Sequence, residues 1–368
     1  MKAQNRKTVM LVFGTRPEAI KMCPLVNELK SRSAFRTIVC VTGQHRRMLD
    51  QVLDIFDVTP DCDLSIMKDR QNLFDITQSV LLRMPDIITA AAPDIVLVHG
   101  DTSTAFATSL ACFYMQVKVG HVEAGLRTNN IYLPYPEEYN RQAIDLVSRF
   151  SFAPTQWAKD NLLRENKDPE TIFVTGNTIV DALKTTVRDD FDNAVLRWAG
   201  NHRLITFTMH RRESIGEPMR SAFRAVKKIV SDFPDCRVVY PIHLNPVIRT
   251  IAEEIFDGDK SILLTDPMDV LEFHNILARS WLVLTDSGGI QEEAASLGKP
   301  TLVLRDVTER PEGVEAGILK LVGTDEDKIY EEFKKLTDPG EYQQMCRASS
   351  VFGSGDACKK IADILQQA

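Results

Sequence analysis

Short apolar runs alternate with longer amphipathic stretches along almost the whole chain. In the first half, runs at 8–13, 37–42, 95–99, 118–122, 150–153 and 172–175 read as strands. The stretches at 17–30, 44–56, 73–91, 103–114 and 137–147 read as helices. The second half restarts the rhythm with strands at 204–208, 238–241, 262–265, 281–285 and 301–304. Such alternation predicts parallel sheets with helices on both faces. The segment 187–202 is charged and shows no strand pattern, so it reads as a linker. The expected organisation is therefore an α/β domain over 1–187 and a second over 203–354. An amphipathic helix over 355–368 is expected to pack back on the first domain.

Bulk properties narrow the function. A chain of 368 residues is too long for one ordinary core. Its 44% hydrophobic and 26% charged residues fit a folded, soluble protein. The net charge of −7, from 44 Lys and Arg against 51 Asp and Glu, argues against a nucleic-acid partner. No apolar run approaches the ~20 residues that span a membrane. The N-terminal MKAQNRKTVMLVFG reads as the first strand, not as a signal peptide. The seven cysteines are scattered and lack metal spacing, which favours the reducing cytoplasm and buried thiols.

Two strand-to-helix junctions, VMLVFGTRPEAIK and WLVLTDSGGIQEEAASLGKP, carry the strongest chemistry. A helix start presents free N–H groups and the positive end of its dipole, so it suits anions. The first junction adds the cations Arg16 and Lys21. The second adds Ser287, Gly288 and Gly289, which can donate to phosphate, and Glu293, which can accept from ribose hydroxyls. Together they point to a nucleoside diphosphate held in a cleft between the domains. GxGxxG is absent from both, which argues against a dinucleotide.

Other polar motifs lie at expected strand ends, where α/β proteins bind ligands. HGDTST offers Asp101, with Asp101 or Thr102 as a helix cap in the plainer reading. HVEAGLRT places Glu123 at the next strand end, beside Asp101. PYPEEYNRQAID opens a helix with Glu137 and Glu138, and Arg141 stands at i+4 to pair with Glu137. Clustered carboxylates can separate into an acid and a base. His121 and Glu123 share a strand face, yet no HExxH or compact Asp cluster accompanies them, so no metal is expected. MHRRES supplies His210 and Arg211, PIHLNP supplies His243, and Phe273 either stacks on a base or packs in the core.

Taken together, FGTRPEAIKMCPL, TGQHRRMLDQVL, HGDTST, HVEAGLRT, PEEYNR, TGNTIVDAL, MHRRES, YPIHLNP, DSGGIQEEAASLGKP and RDVTERPEGVEAG closely resemble the bacterial non-hydrolysing UDP-N-acetylglucosamine 2-epimerases. The resemblance implies a GT-B fold: two Rossmann-like, doubly wound parallel-sheet domains with the active site in the cleft between them. It implies reversible conversion of UDP-N-acetylglucosamine to UDP-N-acetylmannosamine for surface polysaccharide synthesis, without a cofactor, by a homodimer. It assigns Arg16, Lys21, Ser287, Gly288, Gly289, Glu293 and Arg310 to UDP, with Phe273 beside the uracil. It assigns Asp101, Glu123, Glu137 and His210 to the chemistry. It further implies a regulatory second substrate site at Gln44, Arg70, Glu137, Arg211 and His243. The chain departs from the family at Met209, where relatives usually carry Gly, and at Arg47.

The C2 proton of a hexosamine is not acidified by a carbonyl. Transient oxidation or elimination of UDP across C1–C2 must therefore intervene. Plentiful diphosphate-binding groups favour elimination, which needs a base, a stabilised leaving group and an acid on the opposite face. Which carboxylate plays which part stays open. An epimerase of a related UDP-2-acetamido sugar, a hydrolysing epimerase and a GT-B glycosyltransferase are the alternatives.

Overall fold

The computed structural model describes residues 6–43, 46–68, 71–346 and 350–368. The chain divides into two compact units, one running to Thr185 and including Gly353–Ala368, the other Thr186–Phe352.

The first unit is built on a parallel seven-stranded sheet: β1 (Lys7–Phe13), β2 (Phe35–Val41), β3 (Cys62–Asp63), β4 (Ile95–His99), β5 (Lys118–Val122), β6 (Phe150–Ala153) and β7 (Ile172–Val174). Their order is β3-β2-β1-β4-β5-β6-β7. Thr8 through Phe13 are all buried, as a central parallel strand covered on both faces requires. Leu11 pairs in register with Val39 on one side and Leu97 on the other. Because the chain winds outward in both directions from β1, the loops after β1 and β4 part there, leaving a crevice at the strand ends.

The second unit repeats this plan with β8 (Arg203–Thr208), β9 (Cys236–Pro241), β10 (Ile262–Thr265), β11 (Leu282–Thr285), β12 (Thr301–Val303) and β13 (Leu319–Leu321). Its order is β10-β9-β8-β11-β12-β13, again all parallel, so its switch point lies between β8 and β11. Its core is aromatic. The Phe207 ring lies 4.6 Å from Tyr240 and 5.5 Å from Phe223, which stacks 4.9 Å from Phe256. Burying each such side chain contributes about 1.5–3 kcal/mol.

The segment 187–202 belongs to the second unit and contains a helix, Ala194–Ala199, capped by Asn193. The last helix, Ala357–Gln367, belongs to the first unit. Its opening N–H groups donate to Asp181, and Asp363 pairs with Arg32 at 2.6 Å. Among the described residues, no helix is long and apolar enough to cross a membrane.

Candidate active site

In the first unit, the loop after β1 runs directly into the helix Arg16–Ser31. Thr15 caps it, and Glu18 answers in a capping box. The buried Glu18 carboxylate accepts from the N–H groups of Thr15 (2.8 Å) and Gly14 (3.0 Å). It also accepts from the Thr102 hydroxyl at 2.7 Å, and Thr102 caps the helix Ser103–Tyr114 after β4. One carboxylate thus locks together the two helix starts that flank the switch point. Burial pushes the Glu18 pKa up, against the pull of these hydrogen bonds. Arg16 opens the first helix, half-buried, and Lys21 lies buried one turn on.

The structure brings Lys21 onto Glu123, and the two form an ion pair. Asn177 donates to the same carboxylate at 2.9 Å, and His99 Nε2 stands 3.7 Å away. Glu123 holds a left-handed backbone, φ +68°. A non-glycine residue keeps that conformation only where its surroundings impose it. Here its N–H and that of Ala124 both donate to the Phe152 carbonyl. Two residues on, Gly125 has φ +86°, and a Cβ there would lie 2.2 Å from the Ala158 carbonyl oxygen, so only glycine fits.

The turn carrying Asp101 lies against this loop, since a Cβ at Gly100 would sit 3.6 Å from Glu123 Oε1. The Asp101 carboxylate, 29% exposed, forms an ion pair with Arg141. Asn140 donates to the Asp101 carbonyl at 2.9 Å. Arg141 also stands 3.3 Å from Glu138. Glu138 is fully buried and accepts from the backbone of Thr128 and Asn129, so it builds the loop. Glu137 is half-buried at the first position of the helix Glu137–Val147.

In the second unit, β11 leads through Asp286 and Ser287 into the helix Gly288–Ser296. The Ser287 side chain makes no capping bond, so it does not occupy the first-turn N–H groups. Arg310 lies against Gly288, where a Cβ would meet Nη1 at 2.5 Å. Its guanidinium is held by Glu292 at 2.8 Å and Glu309 at 3.2 Å. Burial opposes the charge on Glu309, yet Arg310 and Arg305 hold its pKa down to about 2. Glu293 is nearly buried on the same helix, with its Oε2 3.7 Å from His274 Nε2. Phe273 is half-buried and packs against two apolar clusters.

The loop after β8 is tied to the same strand end. Asp286, fully buried, accepts from the N–H groups of His210 and Arg211, both at 2.8 Å. Arg211 returns a bond to the Asp286 carbonyl at 2.9 Å. His210 is exposed, with its ring stacked 5.9 Å from that of His243. Burial and the neighbouring His210 and Arg249 lower the His243 pKa. Met209 has no positive φ; its side chain is fully buried in the aromatic core and its carbonyl accepts from Tyr240 at 2.6 Å. The loop here therefore uses a large residue as an anchor, with no need of a glycine.

Gln44 and Arg70 lie outside the described residues, as does the Arg47 side chain. Sequence reasoning missed Glu18, Asp286, Glu292 and Glu309. Asp286 carried a usable signal, being an acid at the end of an apolar strand and two residues before the glycine pair.

Comparison with known proteins bears on both sets. The family model for UDP-N-acetylglucosamine 2-epimerase matches residues 27–366. The UDP-N-acetylglucosamine 2-epimerase of Bacillus subtilis is 58% identical over 97% of this chain and 94% of its own length. The Neisseria meningitidis UDP-GlcNAc 2-epimerase, solved bound to UDP-GlcNAc, superimposes with a TM-score of 0.93 at 43% identity, over 98% of this chain and 100% of that one. S. aureus MnaA, solved with UDP, gives 0.93 at 47% identity over 98% and 96%. The two parallel-sheet domains are thus of the GT-B-like kind. A fold shared over nearly its full length, with such identity, settles kinship: this chain belongs to the UDP-N-acetylglucosamine 2-epimerase family and is an isomerase.

Proposed function

We propose that this protein interconverts UDP-N-acetylglucosamine and UDP-N-acetylmannosamine by eliminating UDP and adding it back, and that the product feeds surface polysaccharide synthesis. The observation that carries this reading is the content of the two switch points. One sets Glu123 against Lys21, with the Asp101–Arg141 ion pair on the turn beside it; the other sets Arg310 against the helix start at Gly288. The first suits proton transfer at a sugar ring, and the second suits a diphosphate.

In the forward direction, a carboxylate takes the C2 proton. The C2–H electron pair forms the C1=C2 double bond, and the C1–O bond breaks with its pair leaving on UDP. Arg16, Lys21 and His210 stabilise the departing diphosphate. A second carboxylic acid then delivers a proton to C2 from the other face, and a UDP oxygen returns to C1. Ser287, Gly288, Gly289, Glu293 and Arg310 hold the nucleotide throughout, with Phe273 beside the uracil. Since Lys21 already pairs with Glu123, an arriving phosphate oxygen competes for the same ammonium and couples leaving-group binding to the carboxylate. Incubation with UDP-N-acetylglucosamine alone, followed by NMR, tests the reading. An equilibrium mixture holding intact UDP-N-acetylmannosamine supports it, and free N-acetylmannosamine with stoichiometric UDP contradicts it.

Two subsidiary readings go with the proposal. UDP-N-acetylglucosamine also acts as an activator through Arg211, His243, Glu137, Gln44 and Arg70; sigmoidal rate curves are expected, and hyperbolic ones with an unaided reverse reaction exclude it. The chain also pairs with a second copy. Exposed Phe74 and Leu82, Phe113 and Tyr114, and Tyr139 and Leu146 lie on three successively packed helices and offer an apolar face for that contact. A monomer mass by light scattering at micromolar concentration contradicts pairing.

A further inference from the structure

Beneath the strand ends of the first unit lies a buried charged group outside the proposed chemistry. His121, on β5, is fully buried. Its Nδ1 is 2.6 Å from Asp145 Oδ1 and its Nε2 is 2.7 Å from the carbonyl of Gly100. A carbonyl only accepts, so Nε2 carries hydrogen. Asp145 Oδ2 accepts from Arg127 at 2.8 Å and from the Gly125 N–H at 3.2 Å. Arg127 is itself buried and held at 2.6 Å by Glu165. Although burial opposes its charge, His121 and Arg127 keep Asp145 well below the usual carboxylate range. One hydrogen therefore also lies between Nδ1 and Asp145 Oδ1.

We infer that His121 and Asp145 are the positioning pair for Asp101 and Glu123. The connections are direct. His121 grips the carbonyl of Gly100, the residue before Asp101. Asp145 grips the N–H of Gly125, two residues after Glu123, whose left-handed backbone needs an outside constraint. One hydrogen-bonded pair therefore fixes both loops. The other charged or titratable groups around the pair are Arg127, Glu165, Lys167 and His99. Lys167 contributes through bonds to the carbonyls of Asp145 and Ser148. The inference rests on the proposed roles of Asp101 and Glu123, but the two loop contacts it needs stand apart from them.

The test has two arms. In the first, His121→Gln keeps an amide that can bond the Gly100 carbonyl, whereas His121→Ala keeps no contact there. Both should retain UDP affinity; kcat should fall by about tenfold or more in His121→Ala and be partly restored in His121→Gln. Unchanged kcat in both, or a fall matched by an equal loss of UDP affinity, would overturn the positioning claim. In the second arm, amide hydrogen exchange at Asp101 and Gly125 should be faster in His121→Ala than in the wild type, and unchanged exchange overturns the loop restraint whether or not the protein epimerises anything.

Discussion

The guanidinium of Arg310 occupies the space that a side chain at position 288 would need. A Cβ on Gly288 would lie 2.5 Å from its Nη1 and 2.9 Å from its Cζ. Arg310 has little room to retreat, because Glu292 and Glu309 hold it from the other side. Gly288→Ala should therefore displace the arginine from the helix start and raise the Kd for UDP by about tenfold or more, ~1.4 kcal/mol. Isothermal titration with UDP checks this. An unchanged Kd would mean that the contact is only packing.

The three carboxylates of the first unit should separate chemistry from binding. Asp101→Asn, Glu123→Gln and Glu137→Gln each keep the size of the side chain and remove its ability to exchange a proton. Each should lower kcat by about 10²–10⁴ while changing UDP affinity little. Glu123→Gln also breaks the ion pair with Lys21, so its UDP affinity should rise slightly if that lysine is released to phosphate. Steady-state kinetics with UDP titration reads both. Near-normal kcat in all three variants would make the cluster structural.

His99 gives the first unit a pH-dependent stability. Burial is the main cause that lowers its pKa from 6.5 to about 4; Lys21 and His121 add to that, and Glu123 opposes it. As pH falls from 6.5 towards 4, the unfolded chain takes up a proton that the folded chain refuses, so stability is lost across that window. At one pKa unit per 1.36 kcal/mol, the loss between pH 7.5 and 5 is about 2 kcal/mol. His99→Gln should lose correspondingly less over the same range in urea denaturation. Parallel pH curves for the two proteins would contradict the assignment.

The sequence was most legible where one physical rule governed a whole segment. β1 and β4 are covered on both faces, so they are written as unbroken apolar runs that end at polar loops. That put Asp101, His210 and Ser287 at strand ends without any knowledge of their partners. β3 is only Cys62–Asp63 and β13 is Leu-Lys-Leu, too short and, in β13, too polar to stand out. The site's supports were harder to see, because burying a charge is a tertiary event. Glu18 meets Thr102, and Arg310 meets Glu292, across separations that no local pattern reports. Arg141, expected to pair with Glu137 along its helix, is drawn to Asp101 from a neighbouring loop. The left-handed backbone of Glu123 was also invisible, since glutamate carries no preference for it.

The central claim is elimination and re-addition at C2 by protein carboxylates. Its most direct test is to run the reaction from unlabelled UDP-N-acetylglucosamine in D2O and read C2 of the UDP-N-acetylmannosamine by NMR. The account predicts deuterium at C2 in essentially every product molecule, because the proton removed on one face is replaced from a different acid on the other. Product that keeps its original hydrogen at C2 would contradict it and point to internal hydride return.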